Sequence, residues 1–471
     1  MAHSVHRLLL PLEFPEGISP GEGKQGNLMI LARDGQERPV LRGTALAGAL
    51  RHAWARSRDR RLDDPDVKMW FGMALEGEAG GTPSPLRVSD CVIETGKISG
   101  EDPVLRTHNA IDRHTGAALN AGLFTLQSLP PGSHTNACLW LHYDGEPGTA
   151  KAFLSDLVGI IRSGLTLGGH AARGIGRAQL AEQKAQYRAF DCSNLEEHAA
   201  MLDENSAWRN GHALTGGAPL EPSSEVDGQT LRIDLALAIS PGEDMLVGDG
   251  QGLDYEVEPQ RVKCADGHER WRLPGSALRG VFRAWITRLA ARAGQPVADS
   301  LERRKTNGKA PSGAELAWGF DDAETRERKQ DALADNPKCL SENVTCQVMR
   351  LFGSSYAKSR IHISDAFASV QKAQEQVRAH VAVDRITGGA NEGFFFKNAV
   401  LTTGAQFQVR IDIREPGKEE ALWLAGTLRA LHLGILRVGS SKAGGRLHII
   451  EKPRASGPCA DIFNNLDMSE V

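Results

Sequence analysis

Residues 383 to 396 read VDRITGGANEGFFF, and residues 111 to 124 read IDRHTGAALNAGLF. Aligned without a gap over 106–124 and 378–396, the two stretches agree at Arg, His, Ala, Asp, Arg, Thr, Gly, Ala and Phe. Chance gives about one match over such a length. The agreement continues in the same order along the chain. RGTALAGALRHAW (42–54) answers to PGSALRGVFRAW (274–285), WFG at 70–72 to LFG at 351–353, and LRVSDCVI (86–93) to IHISDAFA (361–368). Last come LGGHAARGIGR (167–177) and VGSSKAGGR (438–446). A series of motifs that repeats in order is a duplicated domain, so one copy must fold from about half the chain.

Length supports this, because 471 residues exceed what one ordinary core holds. The 41% apolar and 24% charged fractions are those of a folded, soluble chain. No run approaches the ~18 apolar residues of a membrane span, and the apolar run before Glu13 and Pro15 is too short for a secretory signal. A cytoplasmic protein with no membrane partner is expected. The seven cysteines are odd in number and scattered, which points to buried thiols rather than disulfides or zinc. A net charge of −4 speaks against coating nucleic acid by total charge, yet arginines gather in 42–61 and 270–294 while acids crowd elsewhere. Such segregation suits a local basic groove.

The segment 183–228 loses periodicity and fills with Gly, Pro, Ser and charge, so it is expected as a linker between a first domain at 1–182 and a second at 229–452. A polar insert is expected at about 294–338 and a tail at 453–471. TLRIDLALAIS alternates, with Leu231, Ile233, Leu235, Leu237 and Ile239 on one face, as in a half-buried antiparallel strand. After it, Ser276 can cap a helix carrying Leu278, Val281, Phe282, Trp285, Ile286 and Leu289 at helical spacing, and the first copy repeats this from Thr44 with Leu46, Leu50 and Trp54. Further helices are expected at 152–164 and 421–434, each preceded by a strand. Strand, helix, strands, helix, strand is the order of a ferredoxin-like α+β sandwich, the architecture also used by RNA-recognition modules.

Gly43 and Gly275 sit beside a first helical turn, where free N–H groups suit phosphate, although an ordinary capped helix explains the same residues. The glycine-rich closing stretches lack G-x-G-x-x-G and follow a helix rather than a strand, so they are not a dinucleotide fingerprint. As loops they supply Arg173, Arg177, Lys442 and Arg446. Asp112-Arg113 and Asp384-Arg385 read best as pairs locking a turn, whereas the stretch ending in Phe394, Phe395 and Phe396 can project as a hairpin offering wedge residues to bases. His108 and His380 are equivalent and read as structural, with a general-base role open to either.

This ordered set resembles the RAMP proteins of CRISPR systems, and within them the backbone subunit of type III effector complexes. That family shows a PGSSLKG-like helix start, an FG step, an SD strand end, an IDR-x-TG-x-A segment and a closing glycine-rich loop, each of which has a counterpart here, in the same order in both halves. The resemblance implies two tandem ferredoxin-like (RRM-like) RAMP domains with loop insertions, fused so that one chain spans twice the guide length, most like the type III-D variants. Guide crRNA, target RNA and other CRISPR effector subunits are the implied partners. Guide phosphates are expected at Arg42, Gly43, Thr44, Arg51, Arg173, Arg177, Gly275, Ser276, Arg279, Arg283, Lys442 and Arg446. A thumb that kinks the guide–target duplex is implied at Phe394, Phe395, Phe396, Leu123 and Phe124.

The family also implies target-RNA cleavage through an acidic residue in the loop after the first strand. Asp244, Asp249 and Asp254 are candidates in the second half, with Asp254 nearest the family's position and a divalent ion, Mg2+ or Mn2+, expected on it. In the first half Asn27 stands at the matching place, and asparagine lacks the charge a hard cation prefers. The first half is therefore expected to bind and the second to cut as an endoribonuclease. A non-catalytic scaffold, or a RAMP endonuclease processing guide precursor through histidine chemistry, are the alternatives.

Overall fold

The computed structural model describes residues 4–469 except 74–80, 110–123, 169–170, 183, 224–228, 249–256, 296–346, 354–357, 370–373, 385, 403 and 440–444. It is α+β, in two compact units. The first comprises Met1–Ala171, Ile175–Gln229 and Arg261–Arg270; the second comprises Ala172–Gly174, Thr230–Gln260 and Trp271–Val471.

In the first unit the Ser4–Phe14 strand is central. It pairs antiparallel along its whole length with Ser133–Tyr143, Leu8 opposite Leu139. Its other side pairs with Arg177–Leu180 and Gln186–Asp191, and Leu86–Val88 lies beyond Ser133–Tyr143. In the second unit Thr230–Ile239 is central in the same way, with Gln406–Arg414 on one side, Ile233 opposite Ile411. Leu447–Ile449 and Arg454–Ser456 lie on its other side, and Ile361–Ile363 lies beyond Gln406–Arg414. The two sheets thus have the same strand order, and the alternation read in TLRIDLALAIS places Leu231, Ile233, Leu235, Leu237 and Ile239 in the core.

Each unit carries two long helices, Gly43–Ser57 and Pro147–Arg162 in the first, Gly275–Arg292 and Lys418–His432 in the second. Leu46, Leu50 and Trp54 are buried at i, i+4, i+8, as are Leu278, Phe282 and Ile286. The Trp70 ring stacks on Phe153 at 4.3 Å, and Trp54 meets Phe153 edge-on at 5.6 Å. Burying one such side chain stabilises by about 1.5–3 kcal/mol, so the two apolar stripes tie each helix pair to its sheet. Cys91 and Cys138 are free thiols whose burial pushes their pKa up to about 12, which keeps them inert as expected.

Two expectations of loose chain are corrected. The segment 183–228 is no linker: Gln186–Asp191 adds a strand beside Ser4–Phe14, Ala218–Pro219 pairs with it, and the Leu195–Asp203 and Asn205–Arg209 helices lie between the two strands. Its irregularly spaced Trp208 and Leu214 pack with Leu9 and Cys138 on the sheet face opposite the helices, so Ser4–Phe14 is buried on both sides. The expected tail is also folded, because Arg454–Ser456 joins the second sheet and Phe463 is buried in the second core. The polar insert falls almost entirely outside the described residues.

Candidate nucleic-acid interface

The helix starts are built alike and differently from expectation. The Gly43 N–H donates to the Asp90 carboxylate at 2.7 Å, and the Gly275 N–H donates to the Asp365 carboxylate at 2.9 Å. The cap residues are Arg42 and Pro274, neither with a side-chain cap bond, so Ser276 is not the cap. A carboxylate at the positive helix end does that work instead. A Cβ at Gly43 would fall inside 3 Å of the Val88 and Ser89 carbonyls, and one at Gly275 inside 3 Å of those of Ile363 and Ser364. The glycines are needed because the Ser-Asp strand end crosses directly over the helix N-terminus. This role of Asp90 and Asp365 was missed, although the SD pair recurs in both halves.

The predicted arginines divide into three groups. Arg173, Arg279 and Arg283 come together within the second unit: Arg279 feels the charges of both others, and burial pushes Arg173 and Arg279 down to about 10. Arg279 also donates to the Phe352 carbonyl and lies over the Phe352 ring, 5.5 Å from its centroid. An anion beside Arg279 would offset the repulsion that Arg283 and Arg173 exert on it.

Arg177 and Arg446 form a second group, paired with equivalent glutamates. Arg177 meets Glu16 at 2.8 Å with side chains only 8% and 5% exposed, and Arg446 meets Glu243 at 3.4 Å. Arg42 and Arg51 are held on the first unit's helix, Arg42 forked between Glu22 at 2.8 Å and Asp90 at 3.1 Å, Arg51 donating to the Leu62 carbonyl at 3.0 Å. Thr44 is exposed on the first helical turn and Ser276 half-buried. Lys442 lies outside the described residues.

Closing loops repeat at the backbone. Leu167 N–H donates to the Gly176 carbonyl at 2.7 Å, as Val438 N–H does to that of Gly445 at 2.8 Å. Gly176 N–H reaches the Gly17 carbonyl at 2.8 Å, as Gly445 N–H reaches that of Asp244 at 2.7 Å.

The opening motif resolves into a hairpin. Glu375–Val383 pairs with Ala390–Leu401, and the turn between them is locked by Asp384, which accepts from the Ile386 and Thr387 N–H groups at 3.0 and 2.8 Å and from the Thr387 hydroxyl at 3.0 Å. Those bonds, from Thr387 first, hold the Asp384 carboxyl below its ordinary range. The turn-locking role read from the sequence therefore belongs to Asp384, which is half-buried, while Arg385, Asp112 and Arg113 lie outside the described residues.

Phe395 is 61% exposed opposite Val381, whereas Phe396 stacks on His380 at 5.1 Å. The first unit repeats that stack, His108 on Phe124 at 5.5 Å, which gives both histidines a packing role. Leu123 and the Phe394 side chain are outside the described residues.

Of the three candidate acids only Asp244 is described. Both its oxygens accept from Arg378, at 2.6 and 3.0 Å, so it is not set up to ligate a metal. Among the described residues no three His, Cys, Asp or Glu side chains converge on a metal position. The loop bases correspond, since Ala32 N–H donates to the Pro20 carbonyl and Gln260 N–H to that of Val247. Asn27 sits in the turn between Gly21–Gln25 and Leu28–Leu31, and Asp249 and Asp254 lie outside the described residues.

Fold and site together define a class, a duplicated α+β protein in which one set of helix starts, closing loops and hairpins is built twice. The chain belongs to the RAMP superfamily, whose family model matches residues 17–179 and 257–448, one stretch in each half. That membership places it with CRISPR-associated RNA-binding proteins. No curated protein matches the chain. No helix among the described residues is long and apolar enough to cross a membrane.

Proposed function

We propose that the chain is a guide-RNA-binding backbone subunit of a type III CRISPR effector, each half a ferredoxin-like RNA-recognition module. The order Ile361–Ile363, Gln406–Arg414, Thr230–Ile239, Leu447–Ile449, with helices after the first and third strands in sequence, supports the ferredoxin-like reading. The observation that carries RNA binding is the convergence of Arg173, Arg279 and Arg283 on one site within the second unit. Guide phosphates enter there, and Arg446, on the second closing loop, extends the track. Gly43 and Gly275 serve the fold instead, since their N–H groups are committed to aspartates.

The hairpin is the thumb, with Phe395 and Val381 as its exposed wedge against the guide–target duplex. Target cutting, if the chain performs it, is assigned to Asp254 rather than Asp244, whose carboxylate is occupied by Arg378. The fused, type III-D-like arrangement lets one subunit hold two successive guide segments.

The test is a salt titration of guide binding by the full chain. Arg283→Ala and Arg279→Ala should each weaken binding and reduce the slope of log K against log salt by about 0.7, the single-strand value per phosphate contact. The reading is overturned by slopes equal to that of the unsubstituted protein in both variants.

A further inference from the structure

At one place in the repeat the two halves are built from opposite chemistry. Ala32 and Gln260 match there, and their carbonyls accept in the same way from the next strand, Ala32 from the Val40 N–H at 3.0 Å and Gln260 from the Arg272 N–H at 2.8 Å. Val40 and Arg272 therefore match too, each three residues ahead of its helix-start glycine, Gly43 or Gly275. The first half fills the place with two buried apolar side chains. The second fills it with an amide and a guanidinium, each only 6% exposed. Burying a guanidinium is costly, and apolar side chains in its place serve stability as well or better. Ala32 and Val40 show that the fold accepts them here, so the polar pair of the second half answers to something other than packing.

Its hydrogen bonds say what that is. Arg272 donates through both Nε and Nη2 to Gln260 Oε1, the Nε bond at 2.8 Å. The fork fixes which way the amide faces, and Gln260 Nε2 donates to the Gly248 carbonyl at 2.9 Å. Gly248 also bridges antiparallel to Pro259, and a Cβ on it would lie 2.2 Å from Val257 Cγ1. The pair thus ties together the two ends of the stretch from Gly248 to Val257, which contains Asp254. In the first half Gly21 pairs with Leu31 at the matching place, and the loop is closed by its own ladder, Gly21–Gln25 on Leu28–Leu31, while Ala32 has no side-chain donor to offer.

We propose that Gln260 and Arg272 are positioning residues for target-RNA cleavage. Arg272 orients the Gln260 amide, and the amide holds the Gly248 carbonyl, so that the chain leaves Gly248 in one fixed direction. Misplacing a catalytic group by about 1 Å costs on the order of 100-fold in rate, so a grip at the loop base acts on the chemistry from outside the cutting centre. The inference rests on the assignment of target cutting to Asp254.

The test compares the unsubstituted chain with two variants. Gln260→Glu keeps the shape and the acceptor for Arg272 but turns an oxygen toward the Gly248 carbonyl. Gln260→Leu combined with Arg272→Met puts apolar side chains of similar volume where the first half has its own. Each full chain is assembled with guide RNA and the other effector subunits, and cutting of end-labelled target is followed in Mg2+. The maximal rate should fall about ten-fold or more in both variants, while the half-saturating target concentration and the guide affinity stay within about two-fold. The urea midpoint of the double variant should be held or raised. Backbone hydrogen exchange over 245–260, measured on the isolated chains, should be faster in both. Unchanged exchange there, or a maximal rate within about two-fold of the unsubstituted complex, overturns the proposal. A loss of rate matched by an equal loss of guide affinity marks a merely structural pair and overturns it as well. An unsubstituted complex that makes no cut overturns the assignment of cutting itself, whereas cutting that both variants leave untouched overturns the positioning role alone.

Discussion

At the scale of single residues, chemistry at four glycines and one histidine decides local stability. Gly43→Ala and Gly275→Ala each force a methyl against backbone carbonyls that cannot retreat, and overpacking of that kind costs about 1–3 kcal/mol. Gly48 and Gly280 lie in the same helices with open space around them, so alanine there should stabilise by about 0.5–1 kcal/mol. Urea denaturation of the four variants separates the pairs by sign. His6 is buried between the Ser4 hydroxyl at 3.0 Å and the Tyr187 hydroxyl at 2.8 Å, and burial lowers its pKa. The unfolded chain therefore takes up a proton more readily than the folded one. Stability is full above the unfolded value of about 6.5 and falls as pH drops below it. The urea midpoint should decline between pH 7.5 and 5.5, and His6→Gln should flatten that decline.

At the scale of elements, long-range partners matter more than local propensity. Asp365→Ala removes the acceptor for the Gly275 N–H and should cost about 1–2 kcal/mol, most of it recovered by Asp365→Asn, as guanidine denaturation would show. Arg177→Ala leaves Glu16 buried without its guanidinium and should cost about 3 kcal/mol, with guide affinity per folded molecule unchanged. Asp384→Ala should speed hydrogen exchange at Gly388 and Gly389, whose amides close the hairpin turn, without slowing exchange elsewhere. These cases also mark what was legible beforehand. Thr230–Ile239 could be read because one of its faces is apolar and the period of two survives, whereas Ser4–Phe14, buried on both faces, carries no such alternation. The cap could not be read from Ser276, because the acceptor is a carboxylate 90 residues away. The segment 183–228 looked like a linker because Trp208 and Leu214, the residues that anchor it, follow no period.

Across the whole molecule, the repeat made the duplicated architecture visible, but not the gathering of Arg173 with Arg279 and Arg283, since more than 100 residues of sequence separate the first from the others. Divergence between the halves should appear in function. Asp254→Ala should abolish one metal-dependent cut in a target RNA annealed to the guide, leaving guide affinity intact, as gel analysis of end-labelled target would report. Persistence of the cut would remove Asp254 from catalysis, and absence of any cut in the unsubstituted complex would leave a binding scaffold. The Glu375–Leu401 hairpin has a practical consequence as well. It is a two-stranded ribbon with Val377, Val381, Val383, Ile386 and Phe395 open to water, a template for pairing with any other exposed strand. Expressed without RNA, the chain should stick to itself and to chromatography matrices through that ribbon, so its yield in soluble form should depend on how early in its production a guide is supplied.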